Sequence, residues 1–574
     1  MKIPSSTLFQ LPLLCCSWPA SLLWILPYVS TSKALEVDLT PNYSAGEVAV
    51  VSQDSGSDDD NYAFQPKTQQ PHDRQAQDGH PLQQPHSDKE IVDRWQEQGQ
   101  QRLNTMSSLI QRSRHQHEEQ DPTTQDTSYV AAAPATTRRK FGHEMLEAEF
   151  LLNYTNLNHG SYGSCPKCVL EYQSMLRQQQ EQQPDIFMRQ HYKVLLSQTR
   201  DEIANQVLNV EEYPNETLVL VESASTAMNS IVRSMKWNRG DIIICFSIEY
   251  AMFNNVVSWL KEMYGVELLQ IPISFPILEG GKNDDEEEDI SITAFTIPLQ
   301  NALERLKEES KIQKLKLAVF DHISSAPAVK EPIKELALLV KRYNQDCFVI
   351  VDGAHAMGQL LQPPLRIHHS TVGPIDAYFS NGHKWFYSPK GSAVLWVNQS
   401  ITTNIFPEPT VISSTNSIVQ GTSLIHRYEY VSTRDYTNIL SLSKALRFRR
   451  DVCGGELAIY NYTRTLALEA KHHLVKRWNI SSNQILVPDS MEVFMINVPL
   501  PENTITTTSM ANQLMTYLFE KHNIYARIMP WMLEPDGATG HFYTRLSSQI
   551  YLELSDFIRF GEVVLEFLHQ RNLL

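Results

Sequence analysis

The chain has 574 residues, too many for one ordinary hydrophobic core, so two or more packed units are expected. Its 42% hydrophobic and 20% charged residues are those of a soluble protein, and a net charge of −16 argues against general nucleic-acid or anionic-membrane binding. Part of the acid is local: Ser57-Asp58-Asp59-Asp60 and the run from Asp284 to Asp289 read as solvated loops.

Residues 1–34 read as a targeting leader. Lys2 gives a positive start, residues 8–29 are mostly apolar, and Ser32-Lys33-Ala34 offers small residues where a signal peptidase reads. Pro12, Pro19 and Pro27 work against a stable spanning helix, so no membrane span is expected after cleavage. The expected destination is the secretory pathway or the cell exterior. An organelle, or an anchor formed by an uncleaved signal, is the alternative. Sequons at Asn42, Asn153, Asn215, Asn398, Asn461 and Asn479 support secretion mildly. Residues 35–143 are polar and Gln-rich, with no sustained apolar period, and are expected to be disordered.

Residues 144–574 read as the globular unit, with a large domain at about 185–440 and a small one from about 144–184 plus 441–574. Leu218-Val219-Leu220-Val221, Ile242-Ile243-Ile244-Cys245, Leu317-Ala318-Val319-Phe320 and Phe348-Val349-Ile350-Val351 are short apolar runs that predict buried strands. Helical patterns lie between them, such as 333–343 with apolar residues on one face. This alternation predicts an α/β fold with a mostly parallel sheet. The end of the chain predicts a smaller α+β part: an apolar run at 493–498, a helix near 510–521, a strand at 544–550 and a helix from Asp556. Seven cysteines do not make a disulfide scaffold. Cys165 and Cys168 form a lone C-x-x-C in a loop-like stretch, a weak redox signal. No second such pair or His pair has zinc spacing, so no metal site is expected.

Two features carry chemistry. Asp352 stands at the end of the predicted strand 348–351, where α/β sheets place ligand contacts, although it could equally cap the next helix. One crossover later, Asn381-Gly382-His383-Lys384-Trp385 holds a lysine in an unusual setting; its bland reading is an exposed turn lysine. Pyridoxal phosphate needs an amine for a Schiff base and an acid that keeps its ring nitrogen protonated, and the pair supplies both.

The chain resembles the class V branch of the fold-type I pyridoxal-phosphate enzymes, which contains the cysteine desulfurases, and within it the isopenicillin N epimerase-like proteins. The anchors are Leu157-Asn158-His159-Gly160-Ser161-Tyr162-Gly163, Ser223-Ala224-Ser225-Thr226-Ala227-Met228-Asn229, Ile248-Glu249-Tyr250, Asp321-His322-Ile323-Ser324-Ser325, Val351-Asp352-Gly353-Ala354-His355, the Lys384 run, Thr433-Arg434-Asp435 and Arg545-Leu546-Ser547. The resemblance implies that Lys384 is the Schiff-base lysine and proton shuttle. Asp352 would pair with the ring nitrogen, and His355 would bond the phenolic oxygen. Tyr250 would stack on the cofactor. Ala224, Ser225 and Thr226 would hold the phosphate with Asn381 and His383. Thr433 would reach the phosphate across a homodimer interface, and Arg545 would clamp the carboxylate of a small amino-acid substrate. Asn158 and His159 would line the substrate entrance. Arg434 is either a site residue or a structural partner of Asp435.

The chain departs from the desulfurases in having no cysteine between Ser482 and Arg545, where a mobile-loop sulfur acceptor would lie. The reading favours an epimerase or C–S lyase. A class V aminotransferase is the alternative, and a non-catalytic secreted binding protein is the rival of another class. No Gly-rich nucleotide loop follows a predicted strand.

Overall fold

The computed structural model describes residues 139–210, 214–277, 289–361, 373–399, 407–414, 423–533 and 540–574. The expected leader, nearly all of segment 35–143 and the acidic runs before Asp289 lie outside the described residues. Asp289 itself caps the helix Ile290–Glu308, its carboxylate accepting from the Ser291 amide at 2.9 Å.

Seven strands form the large sheet: β1 (Leu218–Val221), β2 (Ile242–Phe246), β3 (Glu267–Ile271), β4 (Leu315–Asp321), β5 (Phe348–Asp352), β6 (Ala377–Asn381) and β7 (Ala393–Val397). Their order is β1-β7-β6-β5-β4-β2-β3. Strand β7 runs antiparallel to both its neighbours, and the remaining pairings are parallel. The expected strands are thus present in a mostly parallel sheet.

The near-continuous apolar runs follow from burial on both faces. Val219, Val221, Ile243, Cys245, Leu317, Val319 and Ile350 pack under the helices Ala224–Ser234 and Ala251–Tyr264. Leu218, Leu220, Ile244, Phe246, Ala318, Phe320, Val349 and Val351 face the helices Ile290–Glu308 and Ile333–Tyr343. In the latter helix, Ile333, Leu336, Ala337 and Val340 recur at helical spacing and are buried.

The smaller part is α+β. Strands β8 (Met495–Pro499), β9 (Arg527–Leu533) and β10 (Gly540–Ser547) make an antiparallel sheet of order β9-β10-β8. The helices Glu456–Arg477, Thr508–His522 and Leu554–Gln570 accompany it. Strand β10 ends at Ser547, short of the expected Ile550. The chain turns away there: the Ser548 amide donates to the Phe494 carbonyl, and the Gln549 side chain accepts from its neighbour Ile550 and from the Tyr387 hydroxyl. A two-residue parallel pairing ties Thr155–Asn156 to Ile524–Tyr525. Among the described residues, no helix is long and apolar enough to cross a membrane.

Arg449 fixes the segment behind the Lys384 run. It is 1% exposed and donates to the carbonyls of Trp385 at 2.8 Å and Gly358 at 3.1 Å while pairing with Glu456. Removing it takes the donor from one buried and one part-buried carbonyl. Arg449→Met is expected to cost about 3 kcal/mol of stability in denaturant unfolding. A cost below about 1 kcal/mol, the worth of one ordinary hydrogen bond, would show that these carbonyls find other partners.

Candidate active site

The sheet brings its polar residues together at the carboxyl ends of its strands, where the crossovers leave a crevice. Strand β4 ends in Asp321 and β5 in Asp352, which lie opposite each other in the parallel register. Strand β6 ends in Asn381, and the turn after it carries His383 and Lys384. A cavity of about 190 Å³ is lined by Ser225, Tyr250, Asp321, Asp352, His355, Asn381, His383 and Lys384, among others.

Lys384 is half-buried. Burial pushes its amine down to about 8, with nearby Asp352 working in the other direction. Its Nζ lies 3.0 Å from Nε2 of His355. The Trp385 indole N–H donates to the other His355 nitrogen, Nδ1, at 3.2 Å. An indole N–H is a donor only, so Nδ1 accepts and the proton of the neutral ring sits on Nε2. Burial first, then the Lys384 charge, holds His355 far below its ordinary range, so the ring is neutral. A neutral ring with its proton on Nε2 faces Lys384 as a donor, which favours the lysine's free-amine form and agrees with its lowered pKa of about 8.

Asp352 accepts from the Ala354 amide at 2.8 Å and has company. Carboxylate oxygens of Glu249, Asp321 and Asp352, all buried, lie within 4.8 Å of one another. Such a group cannot ionise together. Burial raises Asp352 to about 6. Burial and the Asp352 charge raise Glu249 to about 8. Asp321 and Glu331 are pushed well up by burial and by their acidic neighbours. At neutral pH, Asp352, with its amide donor and Lys384 nearby, is the member that keeps a negative charge.

The helix Ala224–Ser234 begins at the cavity. Ser223 caps it, accepting from the Thr226 amide, and the Ala224 amide donates to the Asn381 side chain at 2.9 Å. Ser223, Ala224 and Ser225 line the cavity, whereas Thr226 is committed to the cap, its hydroxyl 3.0 Å from that of Ser223. Tyr250 is half exposed, with its ring centre 6.0 Å from the Lys384 amine. Burial and the Lys384 charge lower His383 to about 4.

A second, wider space of about 440 Å³ shares Ser161, Tyr162, Tyr250 and Ser325 with the first. Arg545 lines it from β10 and is buried. Its guanidinium donates to the Ser325 carbonyl at 2.7 Å, to Asn158 Oδ1 at 2.8 Å and to the Ser161 hydroxyl at 2.8 Å. All of these acceptors are neutral, and Nε has no partner among the described residues. Burial lowers Arg545 to about 10. The expected Arg545, Asn158 and Lys384 therefore belong to one connected region.

Three expectations need correction. His159 does not touch this space: it is fully buried, with Nδ1 2.9 Å from the Tyr551 hydroxyl and Nε2 2.6 Å from the Lys384 carbonyl, so it braces Lys384 from behind. Thr226 serves the helix cap. Arg434 pairs with Glu222 rather than Asp435, and Asp435 pairs with Arg177 at 2.8 Å. Thr433 is exposed beside the Tyr430 hydroxyl, away from the cavity of its own chain. Cys165 and Cys168 are free thiols, each raised chiefly by burial, which does not suit a reactive pair. Sequence reasoning gave no role to Glu249, Asp321 or Arg527. The acid at the end of β4 was the available signal for the carboxylate cluster.

No protein-family model matches the chain. Over 433 residues it is 25% identical to the hercynylcysteine sulfoxide lyase of Schizosaccharomyces pombe, covering 74% of this chain and 98% of that protein. It is 27% identical over 435 residues to a probable chloroplastic L-cysteine desulfhydrase of Arabidopsis thaliana, covering 73% and 84%. It is 25% identical over 407 residues to the isopenicillin N epimerase of Streptomyces clavuligerus, covering 68% and 90%. The fold superposes on the cystine C–S lyase C-DES with a TM-score of 0.54 at 19% identity, over 72% of this chain and 98% of that one. The fold is that of the fold-type I pyridoxal-phosphate enzymes, and in sequence the chain is similar to class V lyases and an epimerase of that fold. The residues present fit that cofactor. A half-buried amine with a lowered pKa lies near a buried carboxylate, an aromatic ring flanks the amine, and a helix start suited to phosphate opens on the same cavity.

The carboxylate cluster predicts a pH effect on the cofactor-free protein. Asp352 at about 6 and Glu249 at about 8 both lie above their unfolded values of about 4. The folded state therefore holds extra protons in this window. The associated stability is full below about pH 4 and is lost as pH rises through about 8. Between pH 5 and 8 the melting temperature of Glu249→Gln is expected to fall less steeply than that of the wild type. Parallel curves would show that Glu249 titrates normally.

Proposed function

We propose that this enzyme cleaves the C–S bond of an S-substituted cysteine, releasing a thiol, pyruvate and ammonia with uptake of one water. The observation that carries the amino-acid part is Arg545, a buried cation with neutral acceptors only, beside the Lys384 amine. Burying a charge without its counter-ion is costly, and a substrate carboxylate would supply the missing anion. The C–S bond is supported by relatives that carry lyase and desulfhydrase names. The absence of cysteine from Ser482 to Arg545 disfavours persulfide transfer of the desulfurase type.

When bound, pyridoxal phosphate supplies an electron sink that makes the α-proton of an amino acid removable. Lys384, Ser225, Asn381, His383 and Tyr250 would hold it, and Asp352 would face its ring nitrogen. Lys384, with a pKa near neutrality, takes up and returns a proton without a large energetic mismatch. His355 keeps that amine oriented through its Nε2 contact, and Trp385 fixes the tautomer. Asp352 holds a negative charge while its acidic neighbours stay protonated. Arg545, held by Ser325, Asn158 and Ser161, orients the substrate carboxylate.

The same reading makes the chain a homodimer, with the exposed Thr433 contributing to the partner's phosphate site. It also keeps the secretory destination. Asn153, Asn461 and Asn479 are exposed, which supports glycosylation there.

Purified enzyme incubated with S-substituted cysteines should release thiol and pyruvate in equal amounts. Accumulation of D-isomers without thiol would overturn the lyase reading in favour of an epimerase. Asp352→Asn should still bind cofactor and lose most of kcat, because an amide cannot hold the ring nitrogen protonated. Normal turnover in that variant would remove Asp352 from the mechanism. Arg545→Lys should raise KM about ten- to a hundredfold, since a point charge replaces a planar fork. Reduced thermal stability with unchanged KM would make Arg545 structural.

A further inference from the structure

The wider space holds a second cation. Arg527 lies directly opposite Arg545 in the antiparallel pairing of β9 with β10, and both line the 440 Å³ cavity. Residues opposite one another in such a pair project from the same face, with Cβ atoms about 4.5–5.5 Å apart. Like charges placed this way repel. The Arg527 side chain is half-buried and has no hydrogen-bond or ion-pair partner among the described residues. Arg545 makes bonds to neutral groups alone.

The remaining titratable groups around the cavity are Glu249, Tyr162, Tyr250 and Tyr525. Glu249 is the one carboxyl among them. Burial and the neighbouring Asp352 raise it to about 8, so at neutral pH it is mostly protonated and does not neutralise the arginines. The space thus carries two adjacent positive charges and no anion of its own. It is also far larger than the thiol of cysteine requires, and it opens onto the Lys384 cavity through Ser161, Tyr162, Tyr250 and Ser325.

We infer that Arg527 is a specificity-determining residue that binds a second anionic group on the substrate's side chain, so that the preferred substrates are amino acids with a carboxylate on the substituent as well as at the α-carbon. The inference rests on the reading of Arg545 as the α-carboxylate site. Arg545 takes the α-carboxylate next to Lys384, and Arg527, on the outer strand β9, takes the distal one. A substrate with a neutral substituent leaves Arg527 unpaired beside another cation. An anionic substituent removes that repulsion and adds a charge-assisted bond.

The test compares two ligands of nearly identical shape, S-carboxymethyl-L-cysteine and its neutral amide S-carbamoylmethyl-L-cysteine. Calorimetric binding is measured in cofactor-loaded Lys384→Ala protein, which does not turn over, with and without Arg527→Gln. With Arg527 present, the acid should bind about ten- to a hundredfold more tightly than the amide, the worth of one charged hydrogen bond. Arg527→Gln should reduce that preference to about threefold or less, and Arg527→Lys should leave an intermediate value. The ratio is read within one preparation, so a general loss of folded protein does not mimic the effect. Equal affinity for acid and amide, undiminished preference in Arg527→Gln, or binding of neither ligand would overturn the assignment. Turnover assays on the Lys384 enzyme separate this from the lyase proposal. Release of thiol from the acid and the amide at equal kcat/KM sinks the Arg527 role alone. A clear binding preference without thiol release sinks the lyase reading alone.

Discussion

The structure turns on the partial burial of one amine. Lys384 is half-buried, 3.0 Å from a neutral histidine and close to a carboxylate, and its loss of solvent lowers its pKa to about 8. Most of the surrounding architecture serves this placement. His159 and Arg449 bind the backbone carbonyls of Lys384 and Trp385 from behind. Gly163, at φ 69°, lets the chain pass so close to the His383 carbonyl that a Cβ would collide with it. Trp385 sets the tautomer of His355.

The carboxylates make the complementary arrangement. Asp352 lies at a strand end and is buried among other acids, which compete for a limited amount of negative charge. Its lower pKa follows from having both a backbone amide donor and the Lys384 charge, where, of the two, Glu249 has only the Tyr250 amide and Asp321 only the Lys384 charge. The crowding thus selects one ionised carboxylate from several and aims it at the cavity. The small sheet supplies the opposite charge, since β10 carries Arg545 to the adjoining space from a different part of the chain. The Lys384 amine from the large sheet and the Arg545 guanidinium from the small one meet only because the two parts pack together.

Much of this was legible in the residues. Apolar runs marked the strands because they are covered on both faces, and Ile333–Tyr343 showed its buried stripe. Asp352, Lys384, His355, Tyr250, Asn381 and His383 converge on one cavity because strand ends and the turns after them share an edge of the sheet. What stayed hidden depends on register and direction. The reversal of β7 leaves no mark on a fully buried apolar run. Asp321 meets Asp352, and Arg527 meets Arg545, only through pairing between strands far apart in the chain or separated by a loop. His159 stands in a motif that lines the entrance, and only its contacts with Tyr551 and the Lys384 carbonyl reveal a bracing role.

The most direct test of the account is to reduce the purified, coloured protein with borohydride, digest it and map the pyridoxyl group. The lowered pKa of Lys384 and its place in the cavity predict a single modified peptide containing Asn381-Gly382-His383-Lys384-Trp385, with the group on Lys384. Modification of a different lysine, or a purified protein that takes up no cofactor, would contradict it.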